Sequence, residues 1–351
     1  MRVLLANTEA LMRGGEYQTF ALAEGLARND CEVVLASRAG SALSRKASGS
    51  IRCEEFGFEA LPVATPLALA RLIRRSRAEI LHAQTSNAHT HLWLARGLLR
   101  AAPPLVVSRR VAFPIGRDWL SFLKYRTGVA HYLPISRAAA ESLLARGVNP
   151  ERMTVVPSGV DVEAFRGAVA SPEIARRWGI DDSGCVVGVV AAFEKEKGHR
   201  FLLRAAAEVL RESPSTRFIL VGEGSLEQAL RGEIGSLGIE EAVRCVPLEA
   251  PLEEIMPLFD IFVLPSIQEG LSTALMAAMA AGVAVVASET GGIPEVVSPQ
   301  SGILVPPRDH AALARAIARL VNDESLRKRM GEAGRARSAE FDMDRMVRKT
   351  L

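Results

Sequence analysis

In the segment Pro265–Val297 one carboxylate, Glu269, stands in a polar turn (Pro-Ser-Ile-Gln-Glu-Gly), directly ahead of the small-residue run Leu-Ser-Thr-Ala-Leu-Met-Ala-Ala-Met-Ala-Ala-Gly. That run reads as a helix opening near Leu271. Its first turn would present the N–H groups of Leu271, Ser272 and Thr273 together with the positive end of the helix dipole. A carboxylate beside free N–H groups suits a ligand that is anionic at one end and rich in hydroxyls at the other. The plainer role for Glu269 is to cap that helix. A second cationic element lies in Val189–Gly198, where Lys197 offers a whole charge, about 4 kcal/mol at ~4 Å and an effective dielectric near 20. Two glycine pairs, Gly14-Gly15 and Gly222-Glu223-Gly224, each fall between an apolar run and a helical pattern. Glycine lets the main chain pass close to a ligand, although an ordinary strand-to-helix turn has the same composition.

These residues need a scaffold, and the pattern around them describes one. Short β-branched runs without polar alternation recur at Arg2–Ala6, Val33–Ala36, Ile80–His82, Leu105–Ser108, Tyr132–Ile135 and Thr154–Val156. They recur again at Val186–Ala191, Arg217–Val221, Val243–Val246, Ile261–Leu264, Val283–Ala287 and Gly302–Val305. Alternating with helical stretches, they indicate α/β architecture with parallel sheets covered on both faces. A chain of 351 residues, 48% hydrophobic, exceeds what one core usually organises. Two Rossmann-like, doubly wound domains are expected: residues 1–160, residues 161–338, and a closing tail, 339–351, expected to be helical and to return toward the first domain. The join falls in Pro157-Ser158-Gly159-Val160-Asp161.

Charge is uneven. Residues 1–160 carry 21 Lys and Arg against 12 Asp and Glu, and the remainder 22 against 28. A basic half fits an anionic partner, and solvated helix faces would produce the same count. The segment Arg109–Arg126 interleaves basic and aromatic residues; it either borders an acceptor carried on a lipid, captures anionic headgroups, or packs its aromatics into the core. Nothing in the pattern points to nucleic acid. No early apolar stretch reaches membrane-spanning length, so a soluble, cytoplasmic protein is expected, with peripheral contact at the inner face of the membrane as the lipid-binding alternative. Cys31, Cys53, Cys185 and Cys245 lack paired spacing and read as free thiols. His82, His89 and His91 read as structural, since His89 and His91, two apart, point to different helix faces. The one Asp-x-Asp triplet, Asp342-Met343-Asp344, lies in the tail, and no metal site is expected.

Eight short motifs, weak singly, occur in order: Arg13-Gly14-Gly15-Glu16, Ile80-Leu81-His82-Ala83, Val155–Asp161, Glu196-Lys197-Gly198, Leu220-Val221-Gly222-Glu223-Gly224, Pro265-Ser266 through Glu269-Gly270, Gly291–Glu295 and Ser301–Pro306. In this the chain resembles the retaining glycosyltransferases of the GT-B fold, family 4 type. The resemblance implies two domains facing across a cleft, with a nucleotide diphosphate sugar, a UDP-sugar first among the candidates, on the second and the acceptor on the first. No further cofactor is implied. Glu269 and Lys197 become the catalytic candidates, with Gly15, Gly222, Glu223, Gly270, Leu271, Ser272, Thr273 and Ala277 around the donor. Gly14, Arg109 and Arg110 fall on the acceptor side or beside phosphate. The sequence departs from the family at two positions: Ala277 stands where a second acid reaches the ribose, and Ala192 where an Arg assists the lysine. The implied acceptor is a glycan or glycolipid, in cell-surface polysaccharide or lipopolysaccharide synthesis. Competing readings are another GT-B enzyme, such as a phosphorylase or sugar-nucleotide epimerase, and a non-catalytic relative that only binds the nucleotide sugar.

Overall fold

The computed structural model describes residues 1–58, 64–116, 118–181 and 184–351. They divide into two compact units, Met1–Gly159 with Met343–Leu351, and Val160–Asp342. Each is built on one six-stranded parallel sheet.

The strands of the first unit are β1 (Arg2–Asn7), β2 (Glu32–Arg38), β3 (Arg52–Phe56), β4 (Ile80–Ala83), β5 (Leu105–Arg109) and β6 (His131–Pro134), in the order β3-β2-β1-β4-β5-β6. Successive side chains along a strand point to opposite faces, and both faces here are covered. Leu4, Ala6, Val34, Ala36, Leu81 and Val107 enter one core, while Val3, Leu5, Val33 and Leu35 enter the other. Hence the runs are apolar without a break. β3 was not foreseen, because three of the five residues of Arg-Cys-Glu-Glu-Phe are charged; it forms the sheet edge, where charged side chains discourage further pairing. Thr154–Val156, expected as a strand, is instead extended chain tied to β6 by the Thr154 N–H to the Tyr132 carbonyl (3.0 Å) and the Val156 N–H to that of Pro134 (2.9 Å), and Pro157 halts further pairing.

The second unit contains β7 (Val186–Val190), β8 (Arg217–Val221), β9 (Val243–Val246), β10 (Ile261–Leu264), β11 (Ala284–Ser288) and β12 (Gly302–Val305), in the order β12-β11-β10-β7-β8-β9. The two orders are the same when each unit is counted from its own first strand. In both, the winding reverses beside that strand, between β1 and β4 and between β7 and β10. Ligands of open α/β sheets bind outside the carboxyl ends at such a reversal. The pairing of β7 with β10 stops after Ile261↔Val187 and Phe262↔Gly188.

The tail helix Met343–Thr350 packs on helix Gly14–Arg28, burying Met346 and Val347. Gly25 makes room for Val347, whose methyl group would collide with any Cβ there. The chain leaves the first unit at Gly159, gripped by Gln18, whose side-chain oxygen accepts the Gly159 N–H (2.8 Å) and whose amide donates to the Gly159 carbonyl (2.6 Å). Among the described residues no helix is long and apolar enough to cross a membrane.

Candidate active site

Lys197 and Glu269 are held in the loops that follow β7 and β10, the two strands flanking the reversal in the second sheet. The Glu196 carbonyl accepts the N–H groups of Ile267 (2.7 Å) and Gln268 (3.3 Å), fastening the lysine loop to the glutamate turn. Gly198 and Gly291 complete the clamp. A Cβ on Gly198 would strike the Pro265 carbonyl, and one on Gly291, at φ 56°, would strike that of Glu269. Gly292 donates to the Gly270 carbonyl (3.1 Å), and Thr290 Oγ1 to that of Ile267 (3.1 Å).

Within this frame Lys197 Nζ lies 2.7 Å from Glu269 Oε2. Ser266 Oγ also donates to Oε2 (3.3 Å), and the Gly270 N–H to Oε1 (3.2 Å). The glutamate is 9% exposed. An ion pair drawn this far from water loses hydration on both charges and is retained only with good geometry and extra hydrogen bonds, both of which are present.

The following helix runs Thr273–Ala281, two residues later than its expected start, with Ser272 as N-cap accepting the Leu275 N–H at 3.2 Å. Glu269 is therefore not the cap. The main-chain N–H groups of Leu271, Ser272 and Thr273 donate to no other described backbone group, so they remain available beside the glutamate. Ala277, expected at the donor, is only 1% exposed and offers no polar side-chain atom.

Gly222 and Gly224 pack under the carbonyls of Ala191 and Phe193, where a Cβ would collide, so packing within the chain by itself demands glycine there. Glu223 is exposed, and its carbonyl accepts the Phe193 N–H (2.9 Å). The loop is tied to the β7 loop a second time by Ser225 Oγ donating to Glu194 (2.7 Å). Sequence reasoning missed Ser266 and His199. The His199 ring is buried, lacks partners on both nitrogens and meets Phe193 edge-on at 5.1 Å. Burial, helped by the charge of Lys197, presses its pKa down to about 4.

At the reversal of the first sheet, Asn7 Nδ2 donates to Glu16 Oε1 (3.1 Å), the Arg13 N–H donates to Glu16 Oε2 (3.2 Å), and Thr8 Oγ1 meets Thr85 Oγ1 at 2.8 Å. Burial raises the Glu16 pKa against these bonds. The two arginines at the end of β5 diverge. Arg109 is buried, donates from Nη2 to the Phe113 carbonyl (2.5 Å), and is lowered in pKa by burial. Arg110 donates from Nη2 to Gln84 Oε1 (2.6 Å) and reaches Gly15, whose missing Cβ would stand 3.7 Å from the arginine Cδ. Gly15 has no positive φ, so neither backbone nor packing requires glycine there.

His89 packs edge-on against Tyr125 and His91 against Phe58, on different sides as their spacing implies. Among the described residues no His, Cys, Asp or Glu cluster of metal-binding size occurs, and the four cysteines are free. Asp344 lies 3.6 Å from Arg28. In the helix Trp119–Arg126, Trp119 (70% exposed), Leu120 and Phe122 face solvent while Tyr125 is buried; Arg117 of the same segment lies outside the described residues.

The family model for glycosyl transferases group 1 matches residues 170–337, and that for Glycosyltransferase Family 4 matches residues 12–164. The chain is 34% identical over 210 residues to D-inositol 3-phosphate glycosyltransferase of Segniliparus rotundus, across 56% of this chain and 45% of that protein. It is 30% identical over 236 residues to MMP alpha-(1->4)-mannosyltransferase of Mycolicibacterium hassiacum, across 65% and 55%. The chain thus spans about half the length of the curated relatives it matches. Among solved structures it superimposes on Anabaena HepE in complex with UDP-glucose with a TM-score of 0.87 at 20% identity, covering 100% of this chain and 99% of that one. A glycosyltransferase from Rickettsia africae gives 0.86 at 19%, covering 100% and 96%. Those identities speak to fold. With two sheets of one winding order and family models spanning both halves, the chain belongs to the glycosyl transferases group 1, with the GT-B fold.

Proposed function

We propose that this chain is a retaining, metal-independent glycosyltransferase that moves a sugar from a nucleotide diphosphate sugar, a UDP-sugar first, to a hydroxyl of a glycan or glycolipid. The observation that carries the reading is the Lys197–Glu269 pair, 2.7 Å apart at the strand-order reversal, beside the uncommitted N–H groups of Leu271–Thr273. The donor is held by the second unit and the acceptor is received by the first.

In this reaction the bond from the anomeric carbon to the β-phosphate oxygen breaks, and its electron pair stays on that oxygen. Fixed positive groups aimed at the developing charge stabilise it without reorganisation. Lys197 and the three N–H groups supply them, in the role a metal ion fills elsewhere. Glu269 accepts from sugar hydroxyls and orients the ring. The acceptor oxygen bonds to the same face of the anomeric carbon, and its proton passes to the departing phosphate oxygen. The tests are direct: anomeric configuration of the product by NMR, and turnover with and without EDTA. Inversion, or loss of activity in chelator restored by a divalent ion, would overturn the corresponding part.

The setting proposed is cell-surface polysaccharide or lipopolysaccharide synthesis, in the cytoplasm and peripherally at the inner face of the membrane. The exposed Trp119, Leu120 and Phe122, with Arg126 4.8 Å over the Phe122 ring, support that contact.

A further inference from the structure

Arg110 is the centre of a second polar site, on the carboxyl edge of the first sheet. Its guanidinium is oriented by Gln84 Oε1 at 2.6 Å, and among the described residues no carboxylate forms an ion pair with it. The acid whose charge acts on it, Glu16, has one oxygen on Asn7 Nδ2 and the other on the Arg13 N–H. His82, beside it, adds no charge. Its ring bonds Ser108 (2.9 Å), and burial, aided by the Arg110 charge, presses its pKa down to about 3. Burial also lowers Arg110 to about 10, so it remains a cation at neutral pH. Two donors in this cluster are left without partners: Arg110 Nε and Gln84 Nε2, the latter on a side chain only 2% exposed. Buried N–H groups are seldom left unmade, because an unsatisfied donor costs about 1–3 kcal/mol. Gly15, which nothing in the chain requires to be glycine, keeps the approach to Arg110 clear of a side chain.

We propose that Arg110 and Gln84 receive an acidic group, phosphate or carboxylate, borne by the sugar acceptor. A planar guanidinium with a neighbouring amide N–H matches the paired oxygens of either group, and a charge-assisted bond of that kind is stronger than the neutral ones a plain sugar would make. Gln84 accepts from the guanidinium with its oxygen and so leaves its own buried N–H₂ without a partner, which fixes which end of the amide is left for a ligand. The proposal rests on the glycosyl-transfer reading above.

The test is ligand-observed NMR on the full chain at saturating UDP with three probes: methyl glucoside, methyl glucuronide and glucose 6-phosphate. The wild-type chain is expected to bind one or both acidic probes about tenfold or more tightly than the neutral one, the scale of one charge-assisted hydrogen bond. Whichever acidic probe leads identifies the group. Arg110→Met is expected to erase the difference while leaving UDP affinity unchanged. Gln84→Glu, which sets a carboxylate against the guanidinium at nearly constant shape, is expected to do the same and serves if the first variant does not fold. Equal binding of all three probes, or a preference that survives both variants, would overturn the proposal. Loss of UDP binding with the acidic preference intact would instead retire the glycosyl-transfer reading and leave this site standing.

Discussion

The two sheets share one winding order, yet the polar groups at their reversals are balanced differently. In the second, Lys197 and Glu269 neutralise each other at 2.7 Å, and Ser266 Oγ and the Gly270 N–H add a bond to each carboxylate oxygen. In the first, Arg110 is oriented by a neutral amide and keeps its charge uncompensated, with buried donors left over. A matched pair is organised without ligand and exchanges partners when one arrives, whereas an unmatched cation is completed only by an anion from outside. The same frame therefore hosts one site suited to a group whose charge develops during reaction and another suited to a permanent acid.

The largest effect should come from breaking the matched pair. Glu269→Gln and Lys197→Met are each expected to lower kcat by about 100-fold, the loss typical of removing one fixed stabilising group. Lys197→Met should also reduce stability by about 2–3 kcal/mol, since it strands a nearly buried carboxylate. The double variant should be more stable than the sum of the two predicts, as measured by denaturant unfolding. Additive losses would show that the two side chains act separately. Next in size is Gly291→Ala, which places a methyl group against the Glu269 carbonyl at a positive φ. It is expected to cost about 1–3 kcal/mol and to impair turnover, although no reacting atom is touched. Unchanged turnover would show that the glutamate turn tolerates displacement.

Acid stability sharpens the comparison from another side, because each unit buries histidine, His82 among those of the first, pressed to about 3, and His199 in the second, pressed to about 4. In the unfolded chain both protonate near 6.5, so below that pH the unfolded state binds more protons and stability falls as pH falls, until the folded-state values are passed. His199→Phe should flatten the loss between pH 6.5 and 4 by about one proton in the slope of stability against pH, without altering His82's share. An unchanged slope would place the acid-sensitive burial elsewhere. The smallest effect is expected at the exposed helix: Trp119→Ala with Phe122→Ala should weaken partitioning onto anionic liposomes several-fold and leave turnover on a soluble acceptor unaltered. Equal partitioning would remove the membrane contact.

Much of this was legible in the chain. Val186–Val190, Arg217–Val221 and Ile261–Leu264 are buried on both faces and so carry no competing polar period. Their loops followed with them, which is why Lys197 and Glu269 were found 72 residues apart in sequence. Arg52–Phe56 was not legible because an edge strand tolerates charge, and Thr154–Val156 misled because an apolar extended stretch looks the same whether or not a neighbour continues the ladder. The helix start slipped by two residues because Gly270 and Ser272 are both acceptable caps. Arg109 and Arg110 could not be told apart by type. Which of them turns inward depends on Phe113 and Gln84, contacts that only the folded chain brings together.

The central claim is that Lys197 and Glu269 part to receive a diphosphate and a sugar. A crystal structure with a bound UDP-sugar tests it most directly. The account predicts Lys197 Nζ and the Leu271–Thr273 N–H groups within hydrogen-bond distance of the diphosphate, with Glu269 turned onto sugar hydroxyls. A nucleotide bound elsewhere, with the ion pair still closed at 2.7 Å, would contradict it.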